Sequence, residues 1–342
     1  MTTTDSQLLV QAPGKVAALR RRHILDVDDF NESEFDLVFQ TTDAMKDVLA
    51  REIKKVPALR GKTVVTLFYE ASTRTRMSFE VAGKMLSADV VNLTASASSV
   101  TKGESLVDTV KTIQAMGIDV LVIRHSSSGA PYLVAQQVGP EVSVINGGDG
   151  WHAHPTQALL DAYTIRERLG NLRGRKIAII GDVLHSRVAR SNLWALTALG
   201  AEVVLCGPPT LIPRAWGASS GTPLSNSPPQ GGGGFEPWVT YELREALRDA
   251  DVVMALRLQR ERQEDGLLPH VGEYIGGYQI TPERLRWCKP GALVMHPGPV
   301  NEGIEIASEL VRDVQSVIDR QVTNGVAVRM ALLYLLVGGP AE

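Results

Sequence analysis

Thr63-Val64-Val65-Thr66-Leu67-Phe68, then Ser72-Thr73-Arg74-Thr75-Arg76, then Met77-Ser78-Phe79-Glu80-Val81-Ala82-Gly83-Lys84-Met85-Leu86: these three pieces decide the fold. The first is apolar and β-branched and reads as a buried strand. The last places apolar side chains at 77, 81, 82, 85 and 86, a helical spacing. Ser72 to Arg76 therefore occupies a strand-to-helix turn and opens a helix. Helix N-termini present unpaired N–H groups and a positive dipole end, and both favour anions. Hydroxyls and two guanidiniums at that point make a phosphate cradle without a glycine-rich loop. The alternative reading is an ordinary Ser/Thr cap beside two solvated arginines.

Working outward, the same alternation repeats. A helix starts near Asn31 or Ser33 and runs to about Lys54, with Phe35, Val38, Phe39, Met45 and Leu49 inward. Asp89 to Leu93, Asp119 to Ile123 and Val142 to Asn146 read as strands, with helices over 104–116 and 131–138 between them. Gly147 to Gly150 reads as a turn, and Pro155 opens a helix to about 169. A second unit follows, with strands at 176–182, 202–206, 251–255 and 292–295 and a helix over 186–199. The fold class is α/β: two similar-sized domains, each a parallel sheet flanked by helices. The expected boundaries are 1–154, 155–309 and a C-terminal helical segment, 310–342, that returns to the first domain. Residues 1–22 read as a loose arm with Arg20, Arg21 and Arg22 solvated. Ala218 to Pro237, with four consecutive glycines and four prolines, reads as a disordered surface insertion.

Bulk composition narrows the function. The chain has 342 residues, 44% hydrophobic and 21% charged, with a formal net charge of -3. That balance argues against a general nucleic-acid binder, so an anion site must be a local cluster. Two cysteines suit a reducing compartment. The N-terminus carries only Leu8-Leu9-Val10 as an apolar run, and the longest run, 331–337, is far short of a membrane span. A cytoplasmic protein is expected. His152 and His154 lie two apart with no nearby cysteines, so no metal spacing is evident. No strand is followed by GxGxxG, and there is no Ser/His/Asp elbow.

In open α/β sheets, ligands bind beyond the carboxyl ends of the strands. Here those ends carry Arg74, Arg124, Arg187 and Arg257, with Lys102 on the polar loop after the second strand. Each alone reads as a surface ion-pair partner. Together they imply substrates with several negative charges held between two domains. His154 either caps its helix or serves the site as a neutral donor or cation.

Ser72-Thr73-Arg74-Thr75-Arg76, Lys102-Gly103-Glu104, Arg124-His125, His154-Pro155-Thr156-Gln157 and His296-Pro297-Gly298-Pro299, in this order, resemble the aspartate/ornithine carbamoyltransferases. The resemblance covers nearly the whole chain apart from the arm and the 218–237 insertion. Arg187, Arg257-Leu258-Gln259 and the absence of His-Cys-Leu-Pro near 296 are similar to the aspartate-using branch. The resemblance implies that carbamoyl phosphate binds first, on Ser72, Thr73, Arg74, Thr75, Arg124, His154, Gln157, Gly298 and Pro299. Arg124 and His154, with Thr75, would polarise the carbonyl, and Arg74 counts with them as catalytic. Arg187, Arg257 and Gln259 would hold L-aspartate. Lys102, also counted as aspartate-binding, would arrive with Ser98 from the neighbouring subunit of a homotrimer. No metal or cofactor is implied; a regulatory chain or a dihydroorotase is a further possible partner. Val300 and Thr101 stand where some relatives carry arginine and lysine.

Overall fold

The computed structural model describes residues 19–94, 104–214, 238–259, 267–268 and 270–338. The 218–237 insertion, the first eighteen residues and the loop bearing Ser98, Thr101 and Lys102 lie outside the described residues. The chain enters through α1 (Glu32–Ala50). Asn31 accepts the Glu34 N–H and the Glu34 carboxylate accepts the Asn31 N–H, a reciprocal cap. Then β1 (Thr63–Phe68), α2 (Thr73–Met85), β2 (Asp89–Thr94), α3 (Leu106–Ala115), β3 (Val120–His125), α4 (Ala130–Gln137) and β4 (Ser143–Asp149) alternate. After α5 (Pro155–Leu169) come β5 (Lys176–Ile180), α6 (Arg187–Ala198), β6 (Glu202–Cys206), β7 (Trp238–Thr240), α7 (Leu243–Leu247) and β8 (Val252–Ala255). The described chain closes with α8 (Val271–Tyr278), α9 (Pro282–Leu285), β9 (Leu293–Met295), α10 (Ser308–Val311) and α11 (Ile318–Val337).

Two parallel sheets result, ordered β2-β1-β3-β4 and β7-β6-β5-β8-β9. The central strands β3, β5 and β8 are buried almost throughout, whereas the edge strand β2 is largely exposed. In the first sheet the chain steps from β1 outward to β2, then returns to the other side as β3. In the second it steps from β5 to β6 and β7, then returns as β8. Each reversal opens a crevice at the carboxyl ends of the central pair, β1/β3 and β5/β8. Arg124 lies near the end of β3, and the segments bearing Arg74, Arg187 and Arg257 follow β1, β5 and β8.

The C-terminal helix α11 returns to the first sheet, packing on α1, α2 and α5. Phe35, Phe39, Phe79, Tyr163, Leu332 and Leu333 are buried in one cluster that continues to Ile177 and Leu193 beneath the second sheet. Burial of each such side chain contributes roughly 1.5–3 kcal/mol. The two sheets are therefore joined through a shared core, and the cleft between them has a fixed floor.

Several local expectations change. β4 continues through Gly147 and Gly148 to Asp149, pairing with His125 beyond a shift in register, where the sequence suggested a turn. α1 ends at Ala50, four residues before Lys54, because Arg51 is already extended. The helix expected from Leu310 is broken: residues 312–317 run beside β9, with the Val294 N–H donating to Gln315 O at 2.9 Å and the Val317 N–H to Val294 O at 3.0 Å. β7 and the short helices α7 to α9 had no counterpart in the sequence reading.

Arg21 is not solvated, whereas Arg20 and Arg22 are exposed as expected. Arg21 lies over the Phe30 ring, 4.1 Å from its centre, and pairs with Asp29 and Glu34. Arg22 donates to the carbonyls of Val138 and Val142. These contacts fasten the chain before α1 to the end of α4. Arg21→Ala is expected to cost about 1–2 kcal/mol from lost stacking and charge-assisted bonds. Thermal denaturation should show this as a fall of about 2–4 °C per kcal/mol; an unchanged melting temperature would refute the anchoring role.

Candidate active site

Three helices begin at the two crevices. Ser72 caps α2, its hydroxyl accepting the Thr75 N–H. His154 occupies the cap position of α5. Ser186 caps α6 through the Ala189 N–H. All three positive ends face one cleft of about 740 Å³. Ser72, Thr73, Arg74, Thr75, Arg124, His154 and Gln157 line it from the first half of the chain. Arg187, Arg257, Gln259, Gly298 and Pro299 line it from the second. Lys102 and Ser98 lie outside the described residues.

Sequence reasoning missed Glu70. Its carboxylate accepts from Arg124, near the end of β3, and from Arg187 at the start of α6, the latter through both oxygens. It thus ties the first sheet's cation to the second sheet's. Glu70 stands two residues past β1, so the strand-end rule that selected the arginines reaches it as well. Among the described residues lining the cleft, Glu70 is the single acid, against Arg74, Arg124, Arg187, Arg257 and Arg329.

Backbone fit brings the cations together. Gly148 has φ of +117°, and a Cβ there would sit 2.9 Å from Arg124 Nη1 and 3.0 Å from Arg187 Nε. Arg124 donates to Gly147 O at 3.1 Å and Arg187 to Gly150 O at 3.0 Å. The glycines leave room for two guanidiniums against the main chain. Gly298 plays the same part opposite: at φ +67°, its missing Cβ would meet Arg74 Cζ at 3.1 Å. The Gly298–Pro299 bond is cis. His296 shapes this loop, its Nδ1 accepting the Gly298 N–H at 2.8 Å and its own N–H donating to Gln321 on α11.

Electrostatics follow from this packing. Burial, then Arg257 across the cleft, lowers the Arg74 pKa. Burial, followed by Arg124, Arg187, Arg329 and Arg74, holds His154 well below the ordinary histidine value. The imidazole is therefore neutral near pH 7, and its buried Nδ1 has no hydrogen-bond partner among the described residues. Arg329 is a second omission from the sequence reading. It is buried on α11, donates to Ser78 and Thr156, and lies over Phe79, with burial pulling its pKa down to about 10. Its signal was a lone arginine inside an apolar helical run.

Buried carboxylates set the remaining groups. Asp161 accepts from Gln157, Gln321 and Asn192 at 2.9, 2.7 and 2.9 Å, so it aims Gln157 and joins α5, α6 and α11. Burial raises Asp161 to about 6 despite those donors. Glu305 accepts the Leu258 N–H at 2.8 Å, and Asp182 receives the Gln259 N–H at 3.4 Å. These two acids fix the main chain that carries Arg257 and Gln259.

The arrangement can hold two anionic groups side by side and polarise an oxygen between them. Gly148→Ala should lower kcat/KM by about a hundredfold or more, because a methyl displaces Arg124 and Arg187 together and the backbone strain adds to it. Steady-state kinetics on a variant with unchanged circular dichroism tests this; a wild-type kcat/KM would show that the close approach is dispensable.

Residues 22–167 match the aspartate/ornithine carbamoyltransferase carbamoyl-P binding domain, and residues 173–336 match the Asp/Orn binding domain of that family. The chain is 57% identical over 330 residues to the aspartate carbamoyltransferase catalytic subunit of Roseiflexus castenholzii, covering 96% of this chain and 99% of the relative. Its fold is similar to ornithine carbamoyltransferase from Pyrococcus furiosus, with a TM-score of 0.82 and 28% identity over 95% of this chain and 99% of that one. It is likewise similar to aspartate transcarbamoylase from Trypanosoma cruzi in complex with carbamoyl phosphate and aspartate, with a TM-score of 0.79 and 29% identity over 92% and 95% of the two chains. With both halves matched and a shared core joining them, the chain belongs to the aspartate/ornithine carbamoyltransferase family.

Proposed function

We propose that the chain transfers the carbamoyl group of carbamoyl phosphate to the amine of L-aspartate, giving N-carbamoyl-L-aspartate and phosphate, a step of pyrimidine synthesis. The observation that carries this is the cleft's charge balance, five arginines against Glu70 among its described lining residues. A phosphate dianion and a dicarboxylate match it. A cationic acceptor such as ornithine would need an acid on the second-sheet side, where the described lining supplies Arg187, Arg257 and Gln259.

In this reading Ser72, Thr73, Arg74 and Thr75 hold the phosphate on the N-terminus of α2. Gln157 and the Gly298 carbonyl, its backbone set by Pro299, hold the carbamoyl NH2. Arg187 and Arg257 grip the two carboxylates of aspartate, with Gln259 assisting. Bound aspartate takes Arg187 from Glu70. The amine nitrogen attacks the carbonyl carbon, and Arg124, Thr75 and neutral His154 stabilise the charge developing on the carbonyl oxygen. The bond from carbon to the phosphate oxygen then breaks, and the departing phosphate accepts the amine proton. The chain's contribution is orientation and preorganised charge.

The chain acts in this proposal as a homotrimer, with Lys102, and Ser98 beside it, completing the site of the adjacent subunit. The cytoplasm is its proposed location; among the described residues no helix is long and apolar enough to cross a membrane. Light scattering of the purified chain should give three copies per particle. Mixing Lys102→Ala with Arg74→Ala, each inactive alone, should restore activity after subunit exchange, whereas persistent inactivity of the mixed particle would rule out shared sites.

Two assays address the chemistry. Arg74→Ala should lower kcat about a thousandfold, the scale of a lost transition-state charge contact; near-normal turnover would remove Arg74 from the reaction. Offered aspartate and ornithine separately, the wild-type chain should carbamoylate aspartate, and a preference for ornithine would overturn the roles of Arg187 and Arg257.

A further inference from the structure

The turn from Asp149 to His154 is held at both ends by charged side chains. On the cleft side Arg187 donates to Gly150 O. On the other side lies a hydrogen-bond relay outside the cleft. The His154 N–H donates to Ser191 Oγ at 2.9 Å, and that hydroxyl donates to Asp26 Oδ1 at 3.3 Å. Asp26 also accepts the Val27 N–H at 2.8 Å. Ser191 stands on α6 one turn beyond Arg187, so the relay fastens the main chain of His154 to the helix that presents Arg187.

We propose that Asp26 is a positioning residue for the transfer reaction, holding the backbone of His154 against α6 through the Ser191 hydroxyl. The inference rests on the role given to His154 above. Its physical basis is the cost of the arrangement. Asp26 is 6% exposed and receives two hydrogen bonds from neutral donors, a poor exchange for hydration of a carboxylate. An asparagine would accept the same two bonds without a charge. What the charge adds is attraction to His152 Nε2 at 3.9 Å and a stronger bond to Ser191, the latter giving a tighter hold on His154.

The groups facing Asp26 make that hold depend on pH. His152, in the same turn, places Nε2 3.9 Å from Asp26 Oδ2 and Nδ1 3.1 Å from Asp149 Oδ2. Asp149 is fully buried and accepts from Gly129, Asn146 and Ala153. Asp28 follows Asp26 in the chain and repels it, and Tyr132 on α4 meets the His152 ring edge-on. Burial, chiefly, pushes Asp26 up to about 7, and the hydrogen bond to Asp149 raises His152. Below that range Asp26 is neutral and the relay weakens; above it the carboxylate is ionised and the relay is tight. The stability sign is opposite. An acid whose pKa is raised by folding destabilises the fold as pH climbs above its unfolded value.

The test compares wild type, Asp26→Asn, Ser191→Ala and the double variant between pH 6 and 9. Expected are a kcat lower by about tenfold in Ser191→Ala and about three- to tenfold in Asp26→Asn, with KM for aspartate within about twofold. The double variant should be no slower than Ser191→Ala, since Asp26 acts through the hydroxyl. Asp26→Asn should lose the acid-side inflection near pH 7 while melting higher than wild type above it. Wild-type kcat and pH profile in both single variants, or effects that multiply in the double, would overturn the inference. Ser191→Ala, which alters no charge, decides the matter if Asp26→Asn does not fold. His154→Ala separates the two levels: if it is impaired while the relay variants are not, this inference alone fails. If it turns over normally, the reading of His154 fails and the relay with it.

Discussion

Like charges brought within a few ångströms and partly stripped of water repel, and the cleft is built on that repulsion. Two cations 4 Å apart cost about 4 kcal/mol at an effective dielectric constant near 20. Arg74 and Arg257 face each other closely enough to lower the Arg74 pKa, and four arginines together depress His154. Three helix N-termini add positive potential to the same space. Without anions, Glu70 relieves part of this by bridging Arg124 and Arg187. A cleft in this condition gains free energy from bound anions beyond the contacts they make, because they also remove the repulsion among its walls.

Holding cations together against their repulsion requires a rigid frame. The shared core supplies it: α11 crosses back from the second sheet and packs against α1, α2 and α5. It also delivers polar groups to the cleft floor, Gln321 toward Asp161 and His296, and Arg329 toward Ser78 and Thr156. The glycines at 148 and 298 do the complementary task by subtraction, since each absent Cβ would occupy the volume of a guanidinium. Rigidity and close approach together place charge where it is needed before substrate arrives, which is the condition for electrostatic catalysis.

Most of the strands were legible because their cores are apolar runs, and the starts of α1 and α2 because Asn31 and Ser72 are capping types. From these, the strand-end rule led to Arg74, Arg124, Arg187 and Arg257. The extension of β4 through Gly147 and Gly148 was illegible because glycine pairs read as turns; here they are needed for a neighbour distant in sequence. Arg21 was misread for a related reason. Its partners Phe30, Asp29 and Glu34 are near in sequence, yet only the fold of the chain before α1 turns them toward it. Glu70, Arg329 and Asp161 share one feature: their value lies in side chains contributed by other elements, which periodicity does not register.

The division of labour between the sheets then follows from chemistry. In the proposed reading, phosphate is recognised by hydroxyls, guanidiniums and a helix N-terminus, all of which one strand-to-helix turn supplies, so its half of the proposed site is contiguous from Ser72 to Thr75. A dicarboxylate needs two separated cations at a defined spacing, which no single turn provides. Arg187 begins α6 and Arg257 follows β8, neighbours across the reversal of strand order in the second sheet. Each is fastened differently, Arg187 by Glu70 and Gly150, and the Arg257 segment by Glu305 and Asp182 through Leu258 and Gln259. On the proposed assignment, acceptor choice is set by fold-level adjacency rather than by a local motif. In that proposal, Arg187, bound to Glu70, is the arginine whose release an incoming carboxylate drives.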